Sequence, residues 1–407
     1  MRAVNERCAA LDVHKKTVVA CAITPKGQET ATFGTMTQDL LGLAEWLEAK
    51  RVTVVAMEST GVYWKPLFNV LEERGFELLV VNARHVKAVP GRKTDVKDAE
   101  WLADLLRHGL LKPSFIPNRW QRELRELVRY RKTLVEERAR LVTRVQQLLE
   151  GANIKLGDVA SDVMGMSGRA MLKALAAGET DTHEMAELAL SNLRSKRPQL
   201  ARALTGSVGK HQRFMLLSLI RLVEELEDEI DTINLEVEER MRPFRAILAL
   251  LDEIPGIGQR TAEQILAETG IDMSRFPTAA HFASWARVCP GNNESGGKRH
   301  YASTGGGNPF LRTALIEAAL GAVRAGRSKP NFFSARYQRL AARRGPKRAA
   351  MAVAHSILVA IYRMISDGAH FHDLGPHFHD EQRKERVVRR SVQRLQELGY
   401  RVTIEAA

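Results

Sequence analysis

Cysteine is nearly absent: the 407 residues hold three, Cys8, Cys21 and Cys289. They are too few and too scattered for a disulfide framework or a zinc motif, and they fit a reducing, cytoplasmic setting. No apolar run reaches transmembrane length, and the N-terminus lacks the charged-then-apolar pattern of a signal peptide, so no membrane partner is expected. Acids are in the minority, 48 Asp plus Glu against 61 Lys plus Arg, leaving a formal charge of +13. That excess points to a polyanionic partner, nucleic acid before an anionic membrane. The length allows two or three domains.

What is present centres on Gly91 to Glu100, GRKTDVKDAE. Asp95 and Asp98 are three apart, at the start of a segment of good helix formers, and so share a helix face. Two crowded carboxylates repel unless a cation or proton lies between them. Magnesium takes hard oxygen ligands, and a pair of this kind needs further carboxylates from elsewhere. Arg92, Lys93 and Lys97 surround the pair, as handling of a polyanion requires. The plain alternative is an exposed first helical turn, where the macrodipole favours acids in any case.

Candidate partners precede it. CAALDV (8–13) and TVVACAI (17–23) are β-rich runs, with turn chemistry at Pro25-Lys26-Gly27 and a third strand over Glu29 to Phe33. Helical spacing follows over Asp39 to Lys50. VTVVAM (52–57) reads as a buried strand ending at Glu58, and then come a helix to about Glu73 and a strand over Glu77 to Val81. Three strands, then helix, strand, helix, strand, helix is the order of a ribonuclease-H-like α/β fold. Asp12 falls on the first strand and Glu58 at the end of the fourth, where open α/β sheets gather functional groups. Each acid taken alone could be a turn residue.

LDVHK, MESTGVYW and KTDVKDAEWLADLLR resemble the N-terminal domain of the DEDD insertion-sequence transposases. That family has a RuvC-like (Holliday-junction-resolvase-like) catalytic domain, and its members are RNA-guided recombinases that use a bridge RNA. The resemblance implies that Asp12, Glu58, Asp95 and Asp98 hold magnesium.

Leu127, Leu134, Leu141 and Leu148 recur every seven residues, with Val128, Val135, Val142 and Leu149 alongside. Leu216, Leu219, Val223, Leu226, Ile230, Ile233 and Val237 mark a second long helix. Both read as coiled-coil seams, from which self-association is expected. Arg122, Arg125, Arg129, Arg131, Lys132, Arg138, Arg140 and Arg144 on the first helix read either as a nucleic-acid-tracking face or as a solvated one.

IPGIGQRTA (254–262) resembles a helix-hairpin-helix, whose Gly256-x-Gly258 turn would offer backbone N–H groups to a phosphate. An ordinary tight turn between helices is the alternative. In PGNNESGGKRHYASTGGGNPFLR, Ser295 lies on a glycine-flanked loop beside Lys298 and Arg299, cations suited to pentacovalent phosphorus. From composition this could equally be a flexible phosphate loop. It is similar to the C-terminal transposase block of the same family, which implies that Ser295 is the nucleophile, with Ser303 as fallback. The run Arg324 to Arg348 is the densest basic stretch. It contains Arg343, Arg344, Lys347 and Arg348 and is interleaved with Phe332, Phe333 and Tyr337, a mixture suited to phosphate contacts and stacking on bases. His370-Phe-His372-Asp373 recurs as His377-Phe-His379-Asp380 and carries metal-ligand residue types without a fixed geometry.

The expectation is four parts: a RuvC-like domain (1–118), a coiled-coil domain (119–245) with a helical insertion (151–209), a mostly-α transposase domain with the helix-hairpin-helix (246–368), and a basic, His-containing tail (369–407). The expected protein is a magnesium-dependent transposase with a serine–phosphodiester intermediate, bound to DNA and a structured guide RNA. A homodimer assembling into a tetramer is expected, in the bacterial cytoplasm. The alternatives are a metal-only nuclease or junction resolvase, and a non-catalytic nucleic-acid scaffold.

Overall fold

The computed structural model describes residues 3–59, 61–82, 98–289, 294–295, 297–299, 305, 307–382 and 384–403; the side chains of 294, 295, 298, 299, 380, 386, 387 and 390 are excepted. Of the expected site, Asp95, Arg92, Lys93 and Lys97 lie outside these residues, as does Ser303. The chain divides into two compact units, Met1–Pro117 and Asn118–Ala407.

In the first unit, β-branched runs become strands β1 (Cys8–Val13), β2 (Thr17–Thr24), β3 (Gly27–Gly34), β4 (Val54–Glu58) and β5 (Glu77–Val81). The first three form an antiparallel meander. Thr24 pairs with Gly27 across the Pro25-Lys26 turn, and Gly27 takes φ +130, a value that favours glycine. Helix α1 (Thr37–Ala49) then carries the chain over to β4, which runs parallel to β1. Helix α2 (Trp64–Glu72) leads to β5, parallel to β4. The sheet order is β3-β2-β1-β4-β5, and α3 (Asp98–Arg107) follows.

Strand alternation divides the side chains between two cores. On one face Leu11, Val18, Val55 and Met57 meet Leu43 and Leu47 of α1 and Leu67 and Leu71 of α2. On the other Cys8, Ala10, Cys21, Val54 and Ala56 meet Ala99, Leu102 and Ala103 of α3. Burial pushes the Cys8 thiol up to about 11, so it stays a neutral core group.

The second unit is helical. α4 (Arg119–Gly151) and α9 (Lys210–Met241) pack against each other; between them come α5 (Leu156–Val159), α6 (Met166–Ala177), α7 (Thr182–Glu187) and α8 (Arg197–Ala203). The pairs Glu123–Arg240, Arg131–Asn234 and Arg138–Glu227 give an antiparallel hairpin. Both expected seams therefore close inside one chain. Leu124, Val128 and Leu134 pack with Ile230, Ile233 and Val237, while Val145 and Leu149 join Leu216 and Ile220 in a core shared with the α5–α8 segment. The heptad spacing marks the buried faces in part: Val128, Leu134 and Leu149 are buried, but Val135 is exposed, Leu124 and Val145 are buried outside the expected rows, and the partner helix lies in the same molecule.

α10 (Arg245–Asp252), α11 (Gln259–Thr269), α12 (Ala279–Trp285), the short strands β6 (Glu294–Ser295) and β7 (Lys298–Arg299), α13 (Pro309–Ala325), α14 (Phe332–Arg344) and α15 (Pro346–Asp367) follow. Their common core includes Leu251, Ile265, Phe282, Leu315 and Ile357. Contrary to the expectation from apolar runs, α15 has the length and apolarity to cross a membrane. Its apolar face is spent in this core instead, with Val353, Ala354, Ile357, Leu358 and Ile361 buried. α16 (Phe378–Glu381) and α17 (Lys384–Glu397) complete the described elements.

Candidate active site

The acids meet through register. β1 and β4 pair as Ala10↔Ala56 and Leu11↔Met57, so Asp12 and Glu58 are the next residues on adjacent parallel strands. Their parity is that of Cys8, Ala10, Val54 and Ala56, which places them on the face covered by α3. α3 runs antiparallel to β1: Val4 N–H donates to Arg107 O (2.8 Å) and Cys8 Sγ lies 3.9 Å from Ala103 O. Its first residue, Asp98, therefore points back toward the strand ends that carry Asp12 and Glu58. Helix N-termini favour negative charge, and Asp98 Oδ1 is shielded from solvent there.

Three of the four expected acids thus gather at one end of the sheet, on one face. All offer carboxylate oxygen, the donor type that magnesium takes. Among the described residues, however, no three His, Cys, Asp or Glu side chains stand close enough to hold a metal. Sequence reasoning assigned no role to His14, whose Nε2 lies 3.1 Å from Asp12 Oδ2. Spacing two from Asp12, just past a strand end, was the available signal.

In the second unit β6 and β7 form a minimal hairpin, Ser295 opposite Lys298 and Glu294 opposite Arg299, with Gly297 exposed at φ +73 in the turn. The chain leaving this region is tied down. Arg312 donates to Gly305 O at 2.8 Å. Asn308 caps α13 by accepting from Phe310 N–H and Leu311 N–H, and its Nδ2 donates to Glu268 Oε2 at 2.5 Å.

Glu268 is wholly buried and belongs to a set of ion pairs that takes up Arg125, Arg129, Arg131 and Arg138 of α4, whereas Arg140 and Arg144 stay exposed. Arg129 meets it at 2.7 and 2.8 Å and Arg125 at 3.1 Å, while Arg131 meets the buried Glu263 at 2.7 Å. Arg138 pairs with Glu227. These residues are neither a nucleic-acid face nor a solvated one; they fasten α11 and α9 to α4.

The two glycines of the α10–α11 turn part company. A Cβ on Gly256 (φ +90) would come within 2.2 Å of Ala318 O, so this glycine permits backbone contact with α13. Gly258 is exposed with open space around it, at the N-cap of α11. Arg343 and Arg344 end α14, and Lys347 and Arg348 open α15; all four are exposed at one corner. Phe333 is buried and Phe332 and Tyr337 are half-buried beside the core, so these aromatics do not stand exposed among the four corner cations as the interleaving suggested. The first half of the His-Phe-His-Asp repeat binds protein instead of presenting a metal site: His370 Nδ1 lies 2.7 Å from Glu253 Oε1, and Asp373 Oδ1 accepts from Phe332 N–H.

Two family models match the chain, the first of them running past the first unit to the end of α4. Residues 9–154 match a family model of DEDD transposases of the IS110 type, described as "Transposase". Residues 248–338 match "Transposase IS116/IS110/IS902 family". A "Probable family 20 transposase" of Pseudomonas aeruginosa is 26% identical over 77% of this chain and 84% of its own length. A "Pilin gene-inverting protein" of Moraxella lacunata is 25% identical over 76% of this chain and 81% of its own. A "Transposase for insertion sequence element IS1111A" of Coxiella burnetii is 24% identical over 78% of each. With acids on a mixed α/β sheet, the serine hairpin in a helical unit, and two transposase models matching residues 9–154 and 248–338, the chain belongs to the IS110 family of DEDD transposases.

Proposed function

We propose that this transposase cuts and rejoins DNA strands with a catalytic centre of two parts: the carboxylates Asp12, Glu58, Asp95 and Asp98, and the hydroxyl of Ser295. The observation that carries the reading is the β1–β4 register, which brings Asp12 and Glu58 side by side below the start of α3. The four carboxylates would hold magnesium. When bound, it neutralises the non-bridging phosphate oxygens and eases loss of the serine proton. Ser295 Oγ bonds to phosphorus as the scissile P–O bond breaks, and the serine proton balances the oxygen released on the departing strand. The phosphoserine link keeps the bond energy, so the reverse step rejoins a strand without ATP. Lys298 and Arg299, in the same hairpin, bring cationic residue types to the developing charge.

The surroundings fit nucleic acid. Gly258 N–H, at the open N-cap of α11, suits a DNA phosphate if the α10–α11 turn is a helix-hairpin-helix. The corner Arg343, Arg344, Lys347 and Arg348 suits a second backbone, which we assign to the guide RNA. Cations in the first turn of α15 oppose its dipole, so helix stability does not account for Lys347 and Arg348. Because the α4 and α9 seams face each other, assembly into a dimer or tetramer would use other surfaces, such as the exposed Phe214, Leu217 and Leu235 of α9.

Covalent trapping tests the mechanism. Wild-type protein with magnesium and element-end DNA should leave phosphoserine on the peptide holding Glu294 to Gly297. Ser295→Ala should bind DNA but give no adduct, Asp98→Asn should bind without cutting, and Ser303→Ala should cost little. Nicking by Ser295→Ala would make water the nucleophile and the protein a metal-only nuclease.

A further inference from the structure

Between α14, α15 and the segment after α15 lies a cavity of about 530 Å³. That is within the usual range for small-ligand sites, about 300–1,000 Å³. Its wall is mostly apolar and includes Phe332, Phe333 and Phe371 together with Arg336, Arg363 and His355. We propose that it receives one unstacked nucleotide of a nucleic-acid strand, with the base against the half-buried Phe332 and Phe371 and its phosphate on Arg336 and Arg363. The proposal rests on the family's action on nucleic acid, and it stands whichever group is the nucleophile.

Five observations carry it. Aromatic rings beside guanidinium groups match both halves of a nucleotide, a π-face and an anion. Arg336 Nε is buried and lacks a hydrogen-bond partner among the described residues, an unfavourable state for a charged group that an anion would relieve. Burial, with Arg339 adding repulsion, lowers the Arg336 pKa, as expected of a cation without an acid beside it. Burial, and after it the Arg336 charge, also holds His355 toward its neutral form, which offers one donor and one acceptor to a base edge. The single acid on the lining, Asp367, can accept from an exocyclic amino group.

The remaining wall is a strap, residues 369–374, and it is held in place. Glu253 takes His370 Nδ1 at 2.7 Å and Phe371 N–H at 2.9 Å; Asp373 takes Phe332 N–H at 3.0 Å. The Phe371 ring stacks on Phe333 at 5.7 Å. These bonds give a role to the first His-Phe-His-Asp copy, which nothing else in the site explains. It closes the cavity with an aromatic ring.

The test uses the full chain with short single strands of DNA and of RNA, each carrying one 5-iodouracil for photo-crosslinking. Crosslinks should map by mass spectrometry to Phe332–Arg336 or to residues 369–374, and the better strand identifies the source of the nucleotide. Replacing that nucleotide by an abasic unit should weaken binding to wild-type protein about tenfold, the scale of one base–aromatic stack. Ser356→Trp, which fills the cavity, and Arg336→Gln should each do the same while blunt duplex DNA, with its bases stacked, binds as before. Crosslinks elsewhere with no abasic effect would overturn the pocket and leave the transposase reading intact. Failure of wild-type protein to bind duplex as well would sink nucleic-acid partnership and the pocket together. Competition by an aromatic peptide but not by either strand would also overturn it, making the cavity a protein-docking site.

Discussion

Glu268→Gln should destabilise the second unit far more than any surface substitution. The carboxylate is 0% exposed and holds Arg129 through two bonds of 2.7 and 2.8 Å, Arg125 at 3.1 Å and Asn308 at 2.5 Å. Desolvation lowers the Arg125 pKa while the Glu268 charge pulls it back up, so the carboxylate is what keeps that guanidinium acceptable inside. Glutamine keeps the volume but brings an NH2 against guanidinium donors and removes the negative charge facing two cations. Breaking a buried pair from one side costs about 3–5 kcal/mol. Arg129 is 35% exposed at its side chain, which argues for the lower end, about 3 kcal/mol. At about 2.1 cal/mol/K of unfolding entropy per residue, a unit spanning Asn118–Ala407 shifts by about 1.6 °C per kcal/mol, so the thermal midpoint should fall by about 5 °C. Calorimetry of the whole chain reads this out, and amide exchange at Phe310 and Leu311 should quicken because Asn308 loses its anchor. Arg119→Gln, at a pair 61% and 48% exposed, is the control and should stay within about 0.5 kcal/mol. A destabilisation below about 1 kcal/mol for Glu268→Gln would refute the argument and class the cluster with surface ion pairs.

Changing Arg343, Arg344, Lys347 and Arg348 together to Ala should flatten the plot of log affinity against log salt, by roughly 0.7–0.9 for each phosphate no longer neutralised. An unaltered slope in filter-binding titrations would return that corner to plain solvated surface. The strap should open in acid. His370 first, and then Phe371 N–H, hold the Glu253 carboxyl below its ordinary value of 4.5. A depressed folded pKa means that this stabilisation is complete above the ordinary value and disappears as pH falls through the depressed one. Protection of the Phe371 amide relative to its intrinsic exchange rate, followed down through pH 4.5, should therefore fall below that point, and Glu253→Gln should remove it at every pH. Protection that does not change with pH in the wild type would refute the clasp.

The order of strands and helices in the first unit was legible because each β-branched run, and each return to three-and-four spacing, is a local signal. That Asp12 neighbours Glu58 is not local. It depends on β4 adding to β1 instead of to β3, so that a strand pair 46 residues apart sets the site. The expectation for Asp98 needed one more step, the direction of α3, which the bonds from Val4 and Cys8 supply.

The α4 arginines show why the rest was illegible. Helical periodicity reports which residues share a face, and says nothing about what covers it. Arg129 and Glu268 are 139 positions apart, and no window short enough to show a helix could link them. The intervening glutamates of the α4 sequence pointed toward a solvated surface, whereas the acids that bind its arginines inside, Glu263 and Glu268, sit on α11 next to the proposed phosphate turn. The same limit applies to the Gly-x-Gly turn. Its spacing says that two positions need glycine, while the reason differs at each: contact with the α13 backbone at Gly256, and open approach at Gly258. Exposure together with opposing helix electrostatics is therefore the strongest ground for assigning a charge to a partner. Lys347 and Arg348 meet both conditions, and Arg125, Arg129 and Arg131 meet neither.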